Sequence, residues 1–160
     1  MKSSGTPLRF IVCGALVLSF TGCAGFFRQA TTPTTAYKPV HQHALGGEVA
    51  GLEQSLRKDP TTVNLGDADG NTPLALAAFH GHIAAVRFLI QHGALVDLTN
   101  HQHQTALILA AKAGHADVVI LLLRAGSNAT IRDARGWDAQ TWAQRQGFPD
   151  VAQAIESASR

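Results

Sequence analysis

Apolar positions along this chain follow two patterns. Near the start, Phe10 to Phe20 is an uncharged apolar run broken only by Gly14 and Ser19. Further on, short apolar clusters alternate with polar turns at helical spacing. Leu74, Ala77 and Ala78 share one face of a predicted helix, and the two alanines allow a neighbouring helix to approach closely. Thr72 is a good N-cap, Pro73 suits the first turn, and Gly81 ends the helix. Ile83 to Gln91 predicts a second helix with Val86, Leu89 and Ile90 on its buried side, and Gly93 stops it. Leu95-Val96-Asp97 then leads outward into the next turn. Neither helix can bury its apolar face alone, so the pattern requires stacking.

The same pattern returns. Thr72-Pro73-Leu74 recurs as Thr105-Ala106-Leu107, Ala77-Ala78 as Ala110-Ala111, and Gly81-His82 as Gly114-His115, each 33 residues on. Val86, Leu89 and Ile90 recur as Val119, Leu122 and Leu123, and Gly93 as Gly126, at the same offset. Several residue types agreeing in phase at this period resemble the ankyrin repeat, over residues 67–98 and 100–131. A fourth, degenerate unit opens at Asp133-Ala134-Arg135-Gly136, with Trp142, Ala143, Gly147, Val151 and Ile155 in phase and Gln140 where Leu is usual, as suits a polar terminal cap. Upstream, Gly47, Leu52 and Leu56 resemble a first unit aligned at 34, which places one extra residue around Lys58-Asp59-Pro60-Thr61.

The resemblance implies an all-α solenoid of stacked helix–turn–helix units with β-turn fingers, with repeats at about 40–65, 66–98, 99–131 and 132–160. Two departures stand out. The family's usual His after Thr-Pro-Leu is Ala75 in the second repeat and Ile108 in the third. His103 holds the turn position of Gly70 and Gly136, where positive φ is expected. The third finger is therefore expected to be the looser one.

The opening run fits an export signal. Lys2 and Arg9 supply a positive start, and the apolar core is shorter than the ~20 residues that span a bilayer. It ends in Phe20-Thr21-Gly22-Cys23, which resembles the lipobox of bacterial lipoproteins, although Phe20 stands where an aliphatic is usual. The expected organisation is a signal peptide over 1–22, a lipidated Cys23 opening a Thr- and Pro-containing tether over 23–39, and the repeat domain over 40–160. Acyl chains on Cys23 would anchor the protein to a membrane. Ala24 after Cys23, rather than Asp, implies the outer membrane by resemblance to lipoprotein sorting, with the domain in the bacterial periplasm.

Charge and cysteine content sharpen this picture. Of 13 Lys and Arg residues, Lys2 and Arg9 leave with the signal, and the remaining 11 balance 11 Asp and Glu. A neutral mature chain without a basic stripe points away from nucleic acid and from a membrane-surface partner. Only Cys23 remains after cleavage, so no intrachain disulfide supports the fold.

Candidate chemistry is sparse. His80-x-His82, His101-x-His103 and His41-x-His43 invite a metal or haem reading, since imidazoles that converge bind zinc, copper or nickel. Against it, His82 and His115 are the Gly-His residues of the family, structural by resemblance, and His92 sits at a helix end where a cation is favourable. Asp67-x-Asp69-Gly70-Asn71 lacks the closing acidic ligand of a calcium loop. No nucleophile elbow, P-loop or His-Glu-x-x-His occurs, so no enzymatic activity and no cofactor are expected.

The family binds proteins through its finger tips and the inner ends of its first helices. Carried over by position, that surface is Ala68, Asp69, Asn71, Phe79 and His80 in the second repeat. It continues with His101, Gln102, Gln104, Lys112 and Ala113, then Ala134, Arg135, Trp137, Arg145 and Gln146. Phe79 and Trp137 are the candidate aromatic anchors, with packing against the domain as the alternative for each. The expectation is a monomeric, non-catalytic scaffold that binds another protein, as an adaptor or protective partner of a periplasmic enzyme. An immunity protein neutralising a delivered toxin, or histidine-based metal or haem capture, are the alternatives.

Overall fold

The computed structural model describes residues 38–158. The expected signal peptide, Cys23 and nearly all of the tether lie outside these residues. Pro39, the last residue assigned to the tether, opens the first helix instead.

The described chain is all-helical: α1 (Pro39–Gly46), α2 (Val49–Lys58), a 3₁₀ turn (Pro60–Asn64), α3 (Pro73–Phe79), α4 (Ile83–Gln91), α5 (Ala106–Ala113), α6 (Ala116–Arg124), α7 (Ala139–Gln146) and α8 (Pro149–Ala158). Two layers result. The first helices stack in the order α1, α3, α5, α7, and the second helices α2, α4, α6 and α8 cover them on one side. The core runs between the layers through Leu52, Leu74, Val86, Leu89, Leu107, Val119, Leu122 and Ile155, all but removed from solvent. Ile90 and Leu123, expected on the buried side, are only half-buried, because helical rotation carries the residue after Leu89 and Leu122 toward the outer surface.

Local chemistry sets the helix ends. Thr72 and Thr105 each cap a first helix, their hydroxyls accepting from the Ala75 and Ile108 amides at 3.2 Å. Asp138 does the same for α7 through Thr141. Each first helix then stops at a glycine with positive φ: Gly47, Gly81, Gly114 and Gly147. Three of these glycines also leave room for a ring from the next repeat. A Cβ on Gly47 would meet the His82 ring, one on Gly81 the His115 ring, and one on Gly114 the Phe148 ring, each at 2.7 Å. The rings of His82 and His115 are fixed there by hydrogen bonds from Nε2 to the Leu45 and Phe79 carbonyls, at 2.8 and 3.0 Å. Glycine and ring thus latch neighbouring repeats.

The extra residue of the first repeat falls between Gly47 and Asn64. Gly47 lies 34 residues before Gly81, but Asn64 is back in the period of 33 with Asp97. Asn64 Oδ1 accepts from the Leu95 amide at 2.8 Å, and Asp97 Oδ1 from the Asn128 amide at 3.0 Å, the same contact one repeat apart. The offset of 34 sets Lys38-Pro39-Val40-His41 against Thr72-Pro73-Leu74-Ala75. His41 therefore occupies the position where the second and third repeats lack histidine. It is buried, and its Nε2 lies 2.8 Å from the Leu65 carbonyl oxygen, so this ring is structural and unavailable to a metal.

The fingers are built alike. Asp67, Asn100 and Asp133 each accept, through Oδ1, the amides two and four residues on. His103 adopts φ 58, against 80 and 78 for Gly70 and Gly136, and its finger is closed by the same hydrogen bonds as the other two. Adjacent fingers join through the His101 amide on the Asp69 carbonyl and the Ala134 amide on the Gln102 carbonyl, both at 3.0 Å.

Candidate functional site

The fingers and the first helices together wall an open groove of ≈ 370 Å³ along the inner side of the second and third repeats. Its floor is Leu76 and Leu109, and Asn71, Phe79, His101 and Lys112 stand around it. The period of 33 makes this face a set of columns. One finger column reads Asp69, Gln102, Arg135, and a second Asn71, Gln104, Trp137. On the helices, the columns are Leu76, Leu109, Trp142 and Phe79, Lys112, Arg145. Equivalent positions thus change character from repeat to repeat while the backbone repeats itself.

Most of the expected surface residues face solvent. Asp69, His80, His101, Gln102, Arg135 and Arg145 are exposed, as are Ala68, Ala134 and Gln146. Phe79 is 40% exposed, with the His80 ring edge-on at 5.2 Å, so a large apolar surface is open at the groove wall. Asn71 is half-buried and bridges fingers by accepting from Asn100 Nδ2 at 2.9 Å. Lys112 is half-buried, and Ala113 beside it likewise.

Two residues are more buried than the rest of the expected surface. Gln104 is 5% exposed, yet it still lines the groove wall. Trp137 is half-buried and packs against the core, its ring meeting Trp142 at 4.9 Å and 71°. It is a packed platform more than a protruding anchor.

That platform carries charge. Arg145 stacks over Trp137 with its guanidinium carbon 4.1 Å from the ring centre. Arg135 is nearly equidistant from the two indoles, 5.6 Å from Trp137 and 5.7 Å from Trp142, and Lys112 Nζ lies 4.8 Å from the Trp142 ring centre. Such cation–π contacts hold long side chains in place. Beneath them Trp142 donates its indole N–H to Asp133 Oδ2 at 2.8 Å. Burial opposes ionisation of Asp133. Hydrogen bonds from the Trp137 amide, the Trp142 indole, the Arg135 amide and Gln104 outweigh it and hold the carboxyl below its usual range. Sequence reasoning passed over Asp133 and Trp142 as site residues. The available signal was a tryptophan in a column of leucines, since a buried indole N–H requires an acceptor.

His80 and His82 stack with ring centres 6.1 Å apart, and His80 and His101 both line the groove. His92 stacks on Phe88 at 4.0 Å with Nδ1 2.8 Å from its carbonyl oxygen, and His82, His115 and His41 are each bound to a backbone carbonyl. Among the described residues no group of three His, Cys, Asp or Glu side chains is placed to hold a metal ion. No described helix is long and apolar enough to cross a membrane.

A family profile described as ankyrin repeats (3 copies) matches residues 40–133 and 95–157. The chain is similar to ankyrin repeat family A protein 2 of Homo sapiens, 44% identical over 66 residues, 41% of this chain and 21% of that protein. It is similar to the DNA-binding protein RFXANK of Homo sapiens, 46% identical over 55 residues, 34% of this chain and 21% of that protein. Serine/threonine-protein kinase VIK of Arabidopsis thaliana is 40% identical over 55 residues, 34% of this chain and 13% of the kinase. The matches span about a fifth or less of these relatives.

Proposed function

The chain belongs to the ankyrin repeat family, and from that premise we propose that its repeat domain is a monomeric, non-catalytic scaffold that binds another protein through the groove side of its fingers and first helices. Ankyrin repeats generally mediate protein–protein interaction. One observation carries the reading to this face: columns that the fold repeats faithfully hold side chains that change from Asp69 to Gln102 to Arg135 and from Phe79 to Lys112 to Arg145. Such positions lie outside the core, and exposed aromatic and arginine side chains are the residue types that dominate interfaces.

The finer reading is of an exported lipoprotein, anchored through Cys23 at the outer membrane, whose domain serves in the periplasm as adaptor or protective partner of another protein. The positive start, the apolar run Phe10 to Phe20 and the Thr21-Gly22-Cys23 ending support it. An immunity protein against a delivered toxin would use the same face, with a partner of foreign origin.

Crosslinking capture from the native cell envelope, with the full chain and a Phe79→Ala/Arg145→Ala variant side by side, tests the binding face. One protein retained by the first and lost by the second supports it; identical capture by both refutes it. Cys23→Ser tests the anchor: the substitution is expected to abolish acyl labelling and release the protein from membranes. Labelling that persists without Cys23 would overturn lipidation at that residue.

A further inference from the structure

The polarity of the binding face is directional. In the finger column, Asp69 gives way to neutral Gln102 and then Arg135; in the helix column, Phe79 gives way to Lys112 and then Arg145. The cations therefore gather at the end formed by the third and fourth repeats, although residues 40–160 as a whole carry nine Lys and Arg against eleven Asp and Glu. They arise from three separate elements, α5, the last finger and α7, and converge on one pair of indoles.

Two acid groups of the fourth repeat already accept hydrogen bonds. Asp133 is buried and spends both oxygens on the Arg135 and Trp137 amides and the Trp142 indole. Asp138 accepts from the amide and hydroxyl of Thr141. The ion pairs among the described residues, His43 with Glu48 and Arg57 with Glu53, belong to the first repeat. Lys112, Arg135 and Arg145 take part in neither. A guanidinium held over an indole face leaves N–H groups at its edge to donate, and its planar fork matches a carboxylate. Stacking also reduces the rotamer freedom that an exposed arginine would otherwise lose on binding.

We propose that this end of the face is a docking site for an acidic segment of the partner protein, whose carboxylates bridge Arg135 and Arg145 while Lys112 leads the chain into the groove. The groove beyond offers Asn71, His101 and the open face of Phe79 to polar and apolar side chains of the same segment. Asp69 at the far end disfavours further acid there, so the charge gradient also sets the direction in which the segment lies. The inference deepens the protein-binding reading and rests on it.

The test is a selection of random-sequence displayed peptides on the purified full chain, followed by anisotropy titrations of the enriched peptides. Three forms are compared: the unaltered chain, Arg135→Gln/Arg145→Gln, and Arg87→Gln/Arg124→Gln, which removes equal charge from exposed positions on α4 and α6. Enriched peptides are expected to be rich in Asp and Glu. They should bind roughly tenfold more weakly to the Arg135/Arg145 variant and as before to the α4/α6 variant, and they should weaken as salt rises. Equal melting temperatures of the variants establish that folding is not the cause. Peptides without acidic bias that depend on Phe79 overturn the acidic-segment proposal and leave the binding face standing. Peptides insensitive to every substitution on the face, or no enrichment at all, overturn both. Heparin or polyphosphate displacing an acidic peptide as well as free peptide does would mark a generic polyanion site and overturn the proposal.

Discussion

The indole N–H of Trp142 donates to Oδ2 of Asp133 at 2.8 Å, tying the last first-helix to the finger that precedes it. Asp133 Oδ1 meanwhile holds the Arg135 and Trp137 amides at 2.9 and 3.0 Å. One carboxylate thus shapes the turn, positions the platform indole and underlies the cationic end of the binding face.

Asp133→Asn is expected to weaken the fold by about 1–3 kcal/mol near neutral pH, since an amide cannot offer an acceptor on both sides and would set N–H against N–H at Trp142. The sign of the pH dependence follows from the depressed carboxyl of Asp133. Its stabilisation is fully present above the unfolded value of about 3.9 and is lost as pH falls through the lower folded value. Denaturant melts at neutral and acid pH should show the gap between wild type and variant closing in acid. A gap that persists unchanged into strong acid would show that the charge on Asp133 is not what stabilises the finger.

The latch between repeats predicts an asymmetry among glycines. Gly81 and Gly147 both end first helices, at φ 75 and 80, so alanine at either meets similar backbone strain. Only at Gly81 would the new Cβ lie 2.7 Å from a ring, His115, which is held by the Phe79 carbonyl; at Gly147 the space is open. Gly81→Ala should therefore cost roughly 1–3 kcal/mol more than Gly147→Ala. Adding His115→Ala should recover part of that excess, as a double-mutant cycle on thermal stability would measure. Equal costs at the two glycines would remove the steric account of the latch.

The period and the helix–turn–helix fold were legible because each repeat restates the same local instructions. Ile83 to Gln91 came out as the helix observed, with Gly93 just past its end, and Thr72 and Gly81 bracket the first helix before it as their chemistry predicts. What escaped was whatever depends on contacts between repeats or on carrying the first repeat's register back to its start. His41 was passed over because the offset of 34, read from Gly47, Leu52 and Leu56, was not extended back to residues 38–41. Gln104 comes within reach of Asp133 of the next finger, which the spacing of side chains along one repeat does not reveal. The cationic end was likewise invisible to a charge count, since Lys112, Arg135 and Arg145 are scattered in sequence and meet only once the columns stack.

The repeat register makes a sharp packing prediction. Leu122 on α6 is fully buried, whereas Ile120 on the same helix is 37% exposed. Leu122→Ala should destabilise by about 2–5 kcal/mol through lost burial and the cavity it leaves. Ile120→Ala should cost well under half as much, because much of its surface is already hydrated. Urea titrations of both variants read the difference directly, and comparable losses would mean that α6 is rotated from the orientation described.

His103 offers a stabilising change. It is the one non-glycine with positive φ among the described residues, at 58, in the position that Gly70 and Gly136 fill in the neighbouring fingers. A side chain there costs roughly 1–2 kcal/mol of backbone strain. Glycine removes that strain but gives the unfolded chain more freedom, by roughly 0.5–1 kcal/mol. His103→Gly should thus stabilise the domain by about 0.5 kcal/mol and raise its melting temperature modestly. The converse change, Gly136→Ala, meets no atom within 4 Å, so its cost isolates the conformational term alone. If Gly136→Ala destabilises while His103→Gly has no stabilising effect, then His103 must contribute a favourable contact that offsets its backbone. The unaltered hydrogen bonds of Asn100 with the Gln102 and Gln104 amides argue against that, because they close this finger without the imidazole.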